Sequence, residues 1–330
     1  MIKIKQKIGT PKYKQIINTI EALIVSGTLK KGDQIPSINK IKNDNKLSRD
    51  TVLMAFNELK SRGIIQSVVG KGYYVSSDQV TVTQKIFLLF DELNSFKEDL
   101  YNSFLKHLDD SIEVEIYFHH FNRSIFKKLI KDNKGDYNYY VIMPANFNNT
   151  NKEIKNLPSD KVYILDQLHD DLSSYPSIYQ NFEKAIFNNL NETKALLSKY
   201  NHFILVNTKS KQPEGMLKGF TNFCEAHNFN YSIETTLLEK TPEKGELYII
   251  PDDKNLLRIL KKLKSNNLTL AKDVGIISYN DTLLKELVEG GITTISTDFN
   301  EMGKRLAEMI LNKEQKQIEN PNQLILRSSL

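Results

Sequence analysis

The chain has 330 residues, 40% of them apolar and 26% charged, enough for two or three domains with sizeable cores. Its single cysteine, Cys224, excludes a disulfide framework or a multi-cysteine zinc site, and no apolar run approaches the ~18 residues of a membrane span. The net charge of +5 is uneven: residues 1–80 carry 14 Lys+Arg against 6 Asp+Glu, a balance of +8, which leaves −3 for the remainder. That asymmetry fits a polyanion partner for the first part and equally a solubilising surface.

Met1-Ile2-Lys3-Ile4-Lys5 lacks the apolar core of a signal peptide, so a cytoplasmic protein is expected. From Pro11, residues Tyr13, Ile16, Ile17, Ile20, Leu23 and Ile24 recur at helical spacing, and Gly27 closes that helix. Ser37 caps a short helix through Ile41, which Asn43-Asp44-Asn45 breaks. Ser48 caps a second, with Val52, Ala55, Phe56 and Leu59 facing inward and Gly63 as its stop. Ile64-Ile65 and Tyr73–Val75 read as two strands joined by a turn at Gly70-Lys71-Gly72.

Two short helices and a hairpin in this order predict a winged helix-turn-helix, an α+β DNA-binding head. The first turn of the second helix carries Arg49, Asp50 and Thr51. These can pair with guanine, accept from cytosine and pack on a thymine methyl. The capping Ser37 and Ser48 and their helix starts suit phosphates, and Lys71 between glycines suits a minor groove. A serine-capped helix alone is only a helix, and Gly-x-Gly alone only a turn; the order and spacing carry the reading.

Residues 11–75 resemble the DNA-binding domain of GntR-type bacterial regulators. The matching pieces are Pro11-x-Tyr13-x-Gln15-Ile16, Gly27-x-Leu29-x-x-Gly32-Asp33-x-Ile35-Pro36-Ser37, Leu47-Ser48-Arg49-x-Thr51-Val52-x-x-Ala55, Leu59-x-x-x-Gly63-Ile64-Ile65 and Gly70-x-Gly72-Tyr73-Tyr74-Val75. The resemblance implies DNA contacts from Ser37, Ser48, Arg49, Thr51, Lys71 and Gly72, and the same surface adds Asn39, Lys40, Asp50 and Tyr73. Asn39 stands where the family usually has arginine, one phosphate or base contact fewer, with Lys40 beside it.

The expected division is a head over residues 1–75, a polar linker over 76–84, and a second part over 85–330. There, strand-like runs alternate with amphipathic stretches, from Lys85–Phe90 and Lys97–Leu108 through to Ile292–Ser296 and Met302–Asn312. That βα alternation predicts parallel sheet flanked by helices, in two lobes. Ligands of open α/β sheets lie beyond the carboxyl ends of the strands. Those ends offer Phe90, Asp91, His119, Asn146, Gln167, Asp252, Asn280, Asp298 and Phe299. Carboxylates and amides beside aromatic rings suit a neutral polyol, although Asp and Asn after a strand are often helix caps.

Residues 85–330 are similar to the sugar-sensing domain of LacI/GalR repressors, a two-lobed periplasmic-binding-protein-like fold. The resemblance rests on Asp273-Val274-Gly275-Ile276-Ile277-Ser278-Tyr279-Asn280-Asp281-Thr282, on Ile292-Thr293-Thr294-Ile295 with Asp298, Phe299 and Gly303, and on Leu324–Ser329. Asn280 stands where many members have Asp, and Met216 where many have an Arg that grips the ligand; both imply a less charged pocket and a neutral sugar, a monosaccharide being expected. A GntR head on such a sensor also resembles the arabinose and fucose regulators. It implies a homodimer on palindromic operator DNA, with no cofactor.

No catalytic set is evident. Cys224 and His227 on one helix read as packing and surface, and adjacent His119 and His120 point apart in a strand, against a joint metal site. The alternative is a sugar-binding module or enzyme whose basic head serves another contact.

Overall fold

The computed structural model describes residues 2–4, 11–78, 80, 84–208 and 211–330; Gln79 and residues 81–83 of the expected linker lie outside them. The head is built from α1 (Lys12–Val25), α2 (Ile38–Asn45) and α3 (Arg49–Ser61), followed by the hairpin β1 (Ile65–Val68) and β2 (Gly72–Val75). Ile16, Ile20, Ile41, Val52, Phe56, Leu59 and Val75 share one buried core. Helix α2 runs through Asn43-Asp44-Asn45 instead of breaking there; Lys46, at φ 51°, ends it. Asn45 is useful inside the helix, because its side chain donates to the carbonyl of Ile2 at 3.1 Å and accepts from the amide of Ile4 at 3.0 Å. Gly63, at φ 66°, turns the chain from α3 into the hairpin, whose register pairs Ile65 with Val75.

The next elements are β3 (Gln84–Phe90), α4 (Ser95–Lys106), β4 (Ile112–Phe118), α5 (Arg123–Asp132), β5 (Tyr139–Ile142), α6 (Asn151–Ile154), β6 (Val162–Asp166) and β7 (Ser177–Tyr179). After them come α7 (Phe182–Glu192), α8 (Lys194–Leu197), β8 (His202–Val206), α9 (Glu214–Ala226), β9 (Asn230–Glu234), β10 (Glu246–Ile250), α10 (Asp253–Ser265), β11 (Gly275–Tyr279), α11 (Leu283–Leu287) and β12 (Thr293–Thr297). The chain ends with α12 (Phe299–Leu311), β13 (Gln317–Glu319) and β14 (Asn322–Ile325).

Two six-stranded sheets result. The first has the order β13-β7-β6-β5-β3-β4 and is wholly parallel; the second, β14-β12-β11-β10-β8-β9, is parallel except for β14. Each is covered on both faces, which is why β10, β11 and β12 are buried along their whole length instead of alternating. The chain passes from one sheet to the other three times: between Tyr179 and Phe182, between Thr297 and Phe299, and between Glu319 and Asn322. Lobe 1 therefore takes back α12 and β13 from the end of the chain, and lobe 2 receives β14.

Helix α12 packs along α4, with Leu306, Met302 and Ile310 against Leu100 and Phe104 in one core. The two backbones meet at Gly303, where a Cβ would overlap the carbonyl oxygen of Leu100 and stand 2.9 Å from the amide of Phe104. Gly303→Ala therefore forces the helices apart and is expected to cost about 1–3 kcal/mol. A melting temperature lower by several degrees would report it; an unchanged one would contradict the close approach.

Candidate functional site

Two surfaces gather the polar residues singled out in the sequence. The first is the outer face of the head. The Ser37 hydroxyl accepts from the Lys40 amide at 3.2 Å and the Ser48 hydroxyl from the Thr51 amide at 3.2 Å, so both serines cap as expected. Ser37, Asn39, Lys40, Ser48, Arg49 and Asp50 are exposed together at these two helix starts, with Thr51 half-buried and its hydroxyl 2.7 Å from that of Ser48. Lys71 is exposed at the hairpin tip, where its carbonyl accepts from the Gln34 side chain at 2.6 Å; Gly72 follows at φ 115°. Tyr73 differs: its ring packs edge-on against Phe56 at 4.7 Å, as part of the head's core.

The head is seated on lobe 1. At the far end of α3, Lys60 Nζ lies 2.5 Å from Asp136 Oδ1, and the buried Ser61 hydroxyl accepts from Asn138 Nδ2 at 3.1 Å. Asn138 in turn accepts from the Lys85 amide at 2.7 Å. The Lys85 ammonium lies against Gly63 and pairs with Glu115, which also accepts from the hydroxyls of Tyr117 and Tyr137. Burial raises the Glu115 pKa, but these bonds outweigh it and hold the carboxyl below its ordinary value. Within the head Arg62 pairs with Glu21 of α1 at 2.5 Å, and it donates to the Val80 carbonyl of the linker at 3.1 Å.

The second surface is the cleft between the lobes, made of two joined chambers. The inner one, about 280 Å³, is lined from lobe 1 by Asp91, Phe96, Lys97, Asp166 and Gln167 and from lobe 2 by Phe182, Met216, Asp252, Tyr279, Asn280 and Lys285, with Gln180 at the crossover. The outer one, about 790 Å³, shares Gln167, Gln180, Phe182, Gln212 and Pro213 with it and adds Asn146 and Asn207.

The lysines of the inner chamber are paired. Lys97 and Asp91 form an ion pair whose side chains are 7% and 5% exposed. Lys211 reaches from lobe 2 to Glu92 at 2.8 Å and lies over the Phe121 ring at 5.1 Å. Lys285, 1% exposed, donates to the carbonyls of Tyr279 and Asn280 at 2.7 Å each and lies 3.4 Å from Asp253. It thereby holds Asn280 at φ 60°, with the Asn280 Oδ1 buried and unpartnered. Asp166, also left-handed at φ 73°, accepts from Gln180 Nε2 at 2.7 Å; burial pushes its pKa up. The Tyr279 hydroxyl, pushed up by burial, donates to Gln180 Oε1 at 3.3 Å.

Of the strand-end residues picked from the sequence, Asp91, Gln167, Asp252 and Asn280 line the inner chamber, as does Met216, and Asn146 lines the outer one. Asp252 is also a helix cap, accepting from the Asn255 amide at 2.9 Å. Four others do not line the cleft. Phe90 is wholly buried in the lobe 1 core. His119 is 0% exposed among Phe121, Phe126 and Phe147, with Nε2 3.1 Å from the Met143 carbonyl, and burial lowers its pKa. Asp298 caps α12 by accepting from Glu301 at 2.9 Å, and Phe299 is buried behind Phe96, its ring 4.8 Å away. His119 and His120 lie past the end of β4, His119 buried and His120, at φ 49°, exposed.

Lys97, Gln180, Asn207 and Lys285 are further lining residues. Asn207 directly follows β8 and obeys the strand-end rule. Gln180 follows β7, three residues long and without a readable pattern. Lys97 and Lys285 come from helices, where no local signal marks them.

Cys224 is buried, its thiol pushed up to about 12 by burial, while His227 bonds Asn191 and Lys194 at the surface, so they form no thiolate–imidazole pair. Among the described residues no helix is long and apolar enough to cross a membrane.

Residues 197–330 match the periplasmic binding protein-like domain, and residues 12–75 the bacterial regulatory proteins of the gntR family. The HTH-type transcriptional repressor YtrA of Bacillus subtilis is 33% identical over 100 residues, 30% of this chain and 73% of YtrA. The arabinose metabolism transcriptional repressor of Geobacillus stearothermophilus is 22% identical over 97% of this chain and 96% of its own. A LacI family regulator from Lactobacillus casei, solved with bound glucose, shares the two-lobed fold at a TM-score of 0.60 and 14% identity, covering 74% of this chain and 99% of that one. With a capped winged helix-turn-helix joined to a periplasmic-binding-protein-like sensor, the chain belongs to the gntR family of bacterial regulatory proteins and is a transcriptional regulator.

Proposed function

We propose that the chain is a cytoplasmic repressor that binds a palindromic operator as a homodimer and releases it when a neutral sugar enters the inner chamber. In this reading residues 1–75 are the reading head, 76–84 its tie and 85–330 the sensor. The observation that carries the effector class is charge pairing. Among the described residues lining the inner chamber, each lysine already faces a carboxylate: Lys97 with Asp91, Lys211 with Glu92, Lys285 with Asp253. A phosphate or carboxylate there would find no uncommitted cation and would be desolvated without compensation. Hydroxyl groups suit what remains: the Asn280 oxygen as acceptor, Gln167 and Gln180 as mixed partners, and Phe182 and Tyr279 as faces for C–H bonds.

On the head, Arg49 is the residue for a guanine edge, Asp50 and Thr51 flank it, and Ser37, Asn39, Lys40, Ser48, Lys71 and Gly72 meet backbone or groove. One head reads one half-site, so a dimer supplies tight binding. The sugar acts through its different affinity for two arrangements of the lobes, and the seat of α3 on lobe 1 carries that difference to the head. The relatives named as repressors, one of them of arabinose metabolism, support this reading.

Arg49→Ala is expected to weaken a specific operator by about 10–100-fold, the loss of one bidentate base contact, while sugar affinity stays unchanged. Fluorescence anisotropy on labelled promoter duplex and calorimetry with sugar measure the two; equal losses in both would contradict separate sites. Asn280→Ala is expected to do the reverse, lowering sugar affinity by up to about tenfold with operator affinity in its absence intact. Lack of binding to any promoter fragment at ~50 mM salt, where phosphate contacts are strong, would remove the repressor reading.

A further inference from the structure

The inner chamber occupies about 280 Å³, at the lower edge of the volumes that hold small ligands, yet it opens into an outer chamber of about 790 Å³. That space does not come from lobes standing apart. Lys211 of lobe 2 meets Glu92 of lobe 1 at 2.8 Å, and Asn146 Nδ2 of lobe 1 donates to the Gln212 carbonyl of lobe 2 at 2.6 Å. The lobes already touch, and the outer chamber remains.

Its chemistry differs from that of the inner chamber. Seven of its lining side chains are amides, among them Asn148, Asn149 and Asn207, and its one lysine among the described residues, Lys218, is paired with Glu214 at 3.1 Å. Asn207 is 4% exposed, and its Oδ1 is buried with no hydrogen-bond partner. A buried amide oxygen left without a donor is costly. The inner chamber holds the matching case in Asn280 Oδ1. These two residues follow β8 and β11, which flank β10, so their strands are two spacings apart, roughly 10 Å. Each chamber thus offers an unmet acceptor, the inner one beside paired lysines, the outer one among amides with Asp170, Asp171 and Glu214 as its acids among the described residues.

We propose that the outer chamber is a second sugar subsite, so that the effector is a neutral glycoside of two units, one ring in each chamber. Asn207 accepts a hydroxyl of the outer unit, and the other amides exchange hydrogen bonds with the rest of its hydroxyls. This inference rests on the cleft being a sugar site, and it changes the expected size of the effector from one ring to two.

The test is isothermal titration of the full chain with matched sugars: glucose against maltose and cellobiose, galactose against lactose, xylose against xylobiose, arabinose against arabinobiose. The expected result is one disaccharide that binds at least about tenfold tighter than either of its components, the scale of one or two added hydrogen bonds. Asn207→Ala removes that gain and leaves the affinity for the single ring unchanged, whereas Asn280→Ala weakens both. Should Asn207→Ala fail to fold, the exposed Asn148→Ala serves in its place and removes part of the gain. A monosaccharide that binds as tightly as any disaccharide overturns the second subsite but leaves the sugar cleft standing. So does an Asn207→Ala loss equal for one ring and two. If no sugar of either size binds, the sugar reading of the cleft falls, and the second subsite falls with it.

Discussion

The regulatory logic depends on where the recognition helix ends. Helix α3 finishes on the underside of lobe 1, with Lys60 on Asp136 and Ser61 on Asn138, and Gly63 closes against the Lys85 ammonium. Lysine at the carboxyl end of a helix also complements its dipole. The head therefore does not hang on a tether alone. Its orientation is tied to β3 and to the loop before β5, through the partly buried Glu115, Tyr117 and Tyr137 cluster. A short polar path therefore joins lobe 1 to the head, the route the proposed mechanism uses, since packed elements shift as units.

The same lobe 1 forms one wall of the cleft, and lobe 2 the other. Three crossovers join them, fastened by Asn320, which donates to Thr297 at 2.7 Å and to the Asp298 carbonyl at 3.0 Å, and by Lys184 on Glu319 at 2.7 Å. A triple connection permits hinge motion but resists twisting apart. The cleft's buried charges fit such a machine. The Asp91–Lys97 pair and the Lys285 clamp are costly to desolvate, and they set loop geometry more than they add stability. Lys285 keeps Asn280, a lining residue of the chamber whose Oδ1 is left unpartnered, in a left-handed backbone conformation that an unsupported loop would leave.

The head was legible in the sequence almost residue by residue, because its signals are local. Ser37 and Ser48 sit just before their helices, and the apolar positions of α1 and α3 recur at helical spacing. The one misjudged stretch there, Asn43-Asp44-Asn45, looks like a helix breaker on propensity; the contacts of Asn45 to Ile2 and Ile4 override it. Tyr73 lies half-buried in the hairpin with its ring edge-on to Phe56, a contact that no local pattern marks. The alternating fold of the sensor was equally readable, but not which lobe each element joins. The placement of α12 and β13 in lobe 1 follows from pairing across more than a hundred residues. The strand-end rule found Asp91, Asn146 and Asn280, but it also chose Phe90 and His119. It points to the edge of the sheet that faces the cleft and says nothing about which way a side chain turns. Gln180 and Lys285 became visible only when distant segments met.

In the proposed mechanism, sugar in the cleft changes the placement of the two heads of a dimer. Cys224 is buried with a thiol pushed up to about 12, so a cysteine introduced in the hairpin turn by Val69→Cys, at a side chain that is 99% exposed and assigned no DNA contact, can be spin-labelled selectively. The decisive measurement is the label-to-label distance in the dimer by double electron–electron resonance, with and without a sugar shown to bind. The distance distribution is expected to shift when sugar saturates the cleft, and operator-length duplex is expected to shift it back. The same distribution under all three conditions, with sugar bound, would contradict it.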